Sequence, residues 1–137
     1  MDKERPFAAN YVAGCLIAMA MHMTFNSIAA FLYPEIYDSP LFKGEDAQIF
    51  FVITAAWEVC LAICIMLRSG LAYRLCLITV PVVLAITVLS MISVEDNTYD
   101  AWIQALLAAL CIIIMLLPSM RSAYNDWSLP KMPSYDV

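Results

Sequence analysis

Residues 47–67, AQIFFVITAAWEVCLAICIML, and 75–94, LCLITVPVVLAITVLSMISV, are two apolar blocks separated by RSGLAYR at 68–74. Glu58 is the only charged side chain inside either block. A helix rises ~1.5 Å per residue, so about 20 apolar residues cover the ~30 Å hydrocarbon layer of a bilayer. Each block has that length, and the basic residues Arg68 and Arg74 sit in the turn between them. The region reads as a hairpin of two membrane-crossing helices. Pro81 falls in the second turn of the later one, where a mild kink is expected.

Outward from this hairpin the same pattern recurs on both sides. Residues 7–33 form an apolar block that stops at Pro34, and residues 101–117 form another that stops at Pro118. Proline lacks an amide proton and disfavours helical geometry in the residue before it. The first block begins after Lys3 and Arg5, as a secretory signal would, but its apolar stretch exceeds the ~7 to 15 residues of a signal core. It is therefore read as a span. The chain of 137 residues is 64% apolar and 14% charged, which excludes an ordinary water-soluble domain. The expected fold is all-α, a single transmembrane domain of four helices at 7–33, 47–67, 75–94 and 101–117, with an interfacial tail at 118–137.

Basic residues in short loops are retained on the cytoplasmic side. Lys3 and Arg5 precede the first span, Arg68 and Arg74 bracket the second turn, and Arg121 and Lys131 follow the fourth span. Lys43 alone falls on the other side. Both ends are thus expected in the cytoplasm, and the short turns at 68–74 and 95–99 make an antiparallel up-down bundle. The opposite face is acidic, with Glu35, Asp38, Glu45, Asp46, Glu95, Asp96 and Asp100. Acids are tolerated there because the orientation rule removes Lys and Arg, and they also form a surface that attracts cations or a basic partner. The net charge of −5 and the seven scattered Lys and Arg exclude nucleic acid as a partner.

Polar side chains at membrane depth carry the functional information, because an ionisable group there is costly and is paired or set against a water-filled cavity. His22 and Glu58 lie near the midpoints of the first two spans, within roughly one turn of each other in depth. Three readings follow: a polar lock between spans, a ligand or proton site that also takes in Asn26, and two unrelated residues. Asn26, Ser27, Thr54, Thr87, Ser90, Ser93 and Gln104 populate the outer half of the bilayer, whereas the inner half offers Thr79 and cysteines. Of these, Thr54, Thr87, Ser90 and Gln104 are the expected helix-to-helix polar contacts. Either a polar cavity opens toward the acidic face, or the hydroxyls bond their own helix carbonyls.

Met19, His22, Met23 and Asn26 share a face with Cys15 one turn further in. Thioether, imidazole and thiol are copper-compatible, so Met19, His22 and Met23 are the candidate metal ligands, although methionine faces are more often adaptable packing surfaces. The five cysteines, Cys15, Cys60, Cys64, Cys76 and Cys111, all lie in apolar blocks and read as packing residues without disulfides. A single histidine gives haem little to bind. Phosphate loops, dinucleotide turns and nucleophile elbows are missing. The tail carries Tyr124, Trp127 and Tyr135, aromatics that prefer the headgroup region or a partner subunit.

Glu58 in mid-membrane, Gly70 and Arg74 at the cytoplasmic turn, and the apolar span that follows resemble the corresponding part of DoxX-like proteins. The resemblance implies a small bacterial four-span protein of the inner membrane, in a family some of whose members are associated with sulfur or redox metabolism and quinones. It is carried at the level of architecture. No cofactor is expected from the residues themselves, and bound lipid or quinone is the ligand class left open. The leading functional expectation is an accessory or structural subunit of a larger membrane complex, in contact with lipids and with other membrane subunits or copies of itself. The alternatives are a small carrier or ligand-binding bundle using Glu58 and His22, an immunity protein against a pore-forming toxin, and, least expected, a quinone-linked redox enzyme.

Overall fold

A computed structural model describes residues 6–33, 45–93 and 99–125, the side chains of 45, 47, 93, 99 and 100 excepted. Every element among the described residues is helical: α1 (Ala8–Leu32), α2 (Glu45–Met66), α3 (Gly70–Ser93), α4 (Tyr99–Met115) and α5 (Pro118–Ala123). Three of these, α1, α2 and α3, are long and apolar enough to cross a membrane. The fourth, α4, has 17 residues, about 25 Å of helix.

The segment boundaries differ from the sequence expectation at two places, each with a local cause. The second span, expected to end at Leu67 with Arg68, Ser69 and Gly70 closing it, does turn there, and the left-handed residue is Arg68, with φ of 61°. Ser69 N donates to the Cys64 carbonyl and Arg68 N to the Ile65 carbonyl, both at 3.0 Å. That pattern is a Schellman motif, which satisfies the last carbonyls of α2. Ser69 Oγ then accepts the Ala72 amide at 3.1 Å and caps the next helix, so α3 starts at Gly70 rather than 75. Pro81 consequently lies deep inside α3 rather than in its second turn. At the other end, Pro118 does not end a helix but begins one. Leu117 adopts an extended conformation, α4 stops at Met115, and proline takes the first turn of α5, where its missing amide has no partner to lose.

Packing arranges the long helices in a ring. α1 lies most extensively on α2 and also on α4, α3 lies on α4, and the diagonal pairs make no backbone approach among the described residues. The start of α1 shares one apolar cluster with the end of α4 and with α5, so α1 and α4 run antiparallel. The short turn does join α2 and α3, yet theirs is the least extensive of the four contacts around the ring. Close neighbourhood along their full length, expected from that turn, is not found.

The core is concentrated at the end where α5 sits. Val12, Leu16, Met19, Ile65, Cys76, Ala108, Cys111, Met115 and Met120 are all fully buried there. A smaller cluster of Ala20, Met23 and Ala55 continues it toward the other end. Outside the core, large apolar side chains remain exposed on every long helix, including Phe25, Ile53, Ile78, Ile92 and Leu106. Helices apolar on all faces belong in a nonpolar solvent. Three helices long and apolar enough to cross a membrane, with apolar side chains on their outer faces, are consistent with a helical membrane protein.

Of the acidic positions, Asp46 is exposed in the first turn of α2, while Glu35, Asp38, Glu95 and Asp96, with the side chains of Glu45 and Asp100, lie outside the described residues. Trp127 and Tyr135 lie outside them too.

Candidate functional site

On α2, Thr54, Glu58, Leu61, Ala62 and Ile65 are buried at spacings of three and four, which makes them one face of the helix. That face looks into the bundle and carries Glu58 with it, only 2% exposed. Neither carboxyl oxygen has a hydrogen-bond partner. On α4 the same spacing aligns Gln104, Ala108, Cys111 and Met115. Gln104 is also 2% exposed, and neither its amide oxygen nor its nitrogen is bonded. A buried amide left unsatisfied costs about 1 to 3 kcal/mol, and an unpaired buried charge more. Two such residues on facing helices amount to a deliberate polar lesion in an apolar core.

His22 is half-buried on α1. Its Nδ1 stands 3.5 Å from the Asn26 amide nitrogen, a pair one turn apart on the same helix. In that pair the amide is the donor, and Nδ1 accepts in the tautomer that carries its proton on Nε2. That Nε2 is buried and has no partner. The expected lock between His22 and Glu58 is therefore not made as a hydrogen bond or ion pair. Ala20 and Met23 cluster with Ala55 and Phe51, which places His22 about a turn further out than Glu58.

The remaining polar expectations divide. Thr87 Oγ1 donates to its own helix at Val83 O (2.8 Å), as Thr24 does to Ala20 O (2.8 Å) and Thr79 to Leu75 O (2.9 Å). Thr87 thus makes no contact between helices, because the carbonyl one turn back is always within reach. Thr54 is buried and Ser90 half-buried, Ser27 likewise. Gln104, expected to bond across helices, is unbonded.

Met19 and Met23 are buried in the apolar clusters, Met19 completely. Among the described residues no group of three or more His, Cys, Asp or Glu is placed to hold a metal ion. All five thiols are free; Cys15, Cys76 and Cys111 are buried in the core and Cys60 faces outward.

Two residues with structural weight had no part in the sequence reading of the interior. Tyr73 Oη donates to Met115 O at 2.6 Å, and Tyr124 Oη donates to Ile65 O at 2.8 Å. Tyr124 was expected at the headgroup interface, but it is 2% exposed. Pro118 turns the chain back into α5, which delivers Tyr124 to the end of the bundle. The signal available in sequence was a tyrosine four residues after a helix-capping serine, Ser69 to Tyr73.

Of the positions behind the DoxX-like resemblance, Glu58 is buried, Gly70 opens α3, and Arg74 Nη2 donates to Asn125 O at 3.2 Å. Compared with family models, with curated proteins and with solved structures, the chain matches none.

Proposed function

We propose that the chain is a four-span membrane protein, with both ends cytoplasmic, whose interior is a ligand-binding or proton-coupled site of a small carrier. The observation that carries this reading is Glu58: a carboxyl group enclosed by the bundle, 2% exposed, with both oxygens unpartnered. A group that serves only packing would be apolar here, and one that serves only adhesion would be bonded to a neighbouring helix. Gln104 and His22 Nε2, also unpartnered, supply the polar surroundings of such a site. The distribution of Lys and Arg supports the orientation. On this reading α4, although the shortest of the four, crosses with its flanking residues.

The test is solute or proton flux in liposomes containing the purified chain, compared with Glu58→Gln and His22→Ala. Flux that falls in Glu58→Gln supports the reading. Equal flux in wild type, both variants and empty liposomes removes it.

An accessory subunit of a larger complex is the second reading, favoured by the surface of α3. That helix is the least enclosed of the three long spans, with Ile78, Val82, Leu89 and Ile92 exposed. Copurification with larger subunits in mild detergent supports it, and a solitary monomer in every detergent opposes it.

A further inference from the structure

Cys15 of α1 and Cys111 of α4 are both buried in the one core cluster that these contacting helices share. His22 stands seven residues beyond Cys15, and Gln104 stands seven residues before Cys111. Because the two helices are antiparallel, both steps lead away from the α5 end by the same ~10 Å. Seven residues are close to two whole turns, so His22 keeps the face of Cys15 and Gln104 keeps the face of Cys111. The two therefore confront each other across the seam between α1 and α4. The partner that register assigns to His22 is Gln104, not the Glu58 that depth alone suggested.

Glu58 lies below this pair. Its distance along α2 from Ile65 is seven residues, and that of Gln104 along α4 from Met115 is eleven. Ile65 O and Met115 O are held at similar levels by the stacked Tyr124 and Tyr73. Glu58 is thus about 6 Å, one turn, deeper than Gln104. Three helices send five unpartnered polar atoms into one zone. The described basic residues, Arg68, Arg74 and Arg121, all stand at the α5 end of the bundle.

We infer that this zone binds a primary ammonium group, with Glu58 as counter-ion and Gln104 as second acceptor. This rests on the ligand-binding reading above and names the class of ligand. A carboxylate that no cation among the described residues partners takes one from outside, and an ammonium brings three N–H donors. Both Glu58 oxygens and Gln104 Oε1 receive them. His22 is a positioning residue: its Nε2, unpartnered in the free chain as Gln104 Oε1 is, closes on that oxygen when the ammonium binds and holds it turned inward. Met19 and Met23, unbranched and adaptable, accommodate an alkyl body.

The experiment is calorimetric titration of the full chain in lipid nanodiscs with hexylammonium, hexanol and hexanoate as probes. Saturable binding of hexylammonium alone is expected. Glu58→Gln weakens it roughly 30-fold or more, as loss of one partner of a buried charge pair does. Gln104→Leu weakens it about 5-fold, the scale of a neutral hydrogen bond. Glu58→Asp retains part of the binding, and Thr79→Val, whose hydroxyl bonds its own helix, retains all of it. Helix content and monodispersity of each variant separate lost binding from lost fold. Hexanol bound as tightly as hexylammonium, or Gln104→Leu without effect, overturns the inference. Glu58-dependent binding of hexanol or hexanoate overturns the ammonium class while leaving the ligand-binding reading standing. If no probe binds and flux is also insensitive to Glu58→Gln, both are overturned.

Discussion

Tyr73 and Tyr124 stack with ring centroids 5.4 Å apart and planes 22° from parallel, and each hydroxyl reaches a carbonyl on a helix other than its own. The acceptors, Met115 O and Ile65 O, belong to the last turns of α4 and α2. Carbonyls in a last turn lack the regular intrahelical donor: the Tyr73 hydroxyl supplies one to Met115 O, and Tyr124 adds a second to Ile65 O beside the Arg68 amide. The tyrosine pair thus ties α3, α4, α2 and the α5 segment into one closed end. This closed end faces away from the unpartnered polar zone, so rigidity and ligand chemistry occupy different depths of the same bundle.

Removing either hydroxyl while keeping the ring isolates that bond. Tyr73→Phe is expected to cost about 1 to 2 kcal/mol, because Met115 O stays buried without that donor, and Tyr124→Phe about 0.5 to 1.5 kcal/mol, because Ile65 O keeps the Arg68 amide. Thermal unfolding in detergent, followed by circular dichroism, measures the loss. A Tyr124→Phe variant as stable as wild type would show that α5 is not held at the bundle end.

Ser69 caps α3 through its Oγ, which accepts the Ala72 amide in a buried setting. Ser69→Ala should cost about 1 kcal/mol, the usual loss for a serine cap, and Ser69→Thr or Asp should recover most of it. The same unfolding measurement decides. Recovery by neither replacement would mean that size rather than hydrogen bonding fixes this position.

Sequence reached the long helices because long apolar blocks between polar turns mark them, and residues 7–33 differ from α1 by one residue at each end. Burial of Glu58 was legible for the same reason. Its lack of a partner was not, since depth along one axis says nothing about the face a neighbouring helix presents. Gln104 read as an interhelical contact, and its unbonded state needs the angular register of α4 against α1. Tyr124 was misplaced because the chain direction after Pro118 is decided by one backbone turn at Leu117. That Arg68 takes the left-handed position at the end of α2 was not legible, because the hydrogen bonds of Ser69 and Arg68 fix that residue there.

Gly14 is exposed on α1, and a Cβ built on it meets nothing within 4 Å. Gly14→Ala should therefore be tolerated and should stabilise α1 by about 0.5 to 1 kcal/mol through lower backbone freedom in the unfolded chain. A variant that instead loses a dimer band in crosslinking would reveal close helix packing at this point.

The polar zone carries a stability cost that substitution can release. Glu58 and Gln104 are enclosed by apolar side chains and bonded to nothing, so each lowers the stability of the unliganded fold. Apolar replacements of similar volume at buried polar positions are often neutral or stabilising by about 1 to 4 kcal/mol. Glu58→Met and Gln104→Leu are accordingly expected to raise the unfolding temperature of the purified chain while abolishing or weakening ligand binding. Opposite movement of stability and binding is the mark of a residue retained for function. If both substitutions lowered stability, Glu58 and Gln104 would have to be satisfied by ordered water or by each other, and their role would be to hold the bundle together.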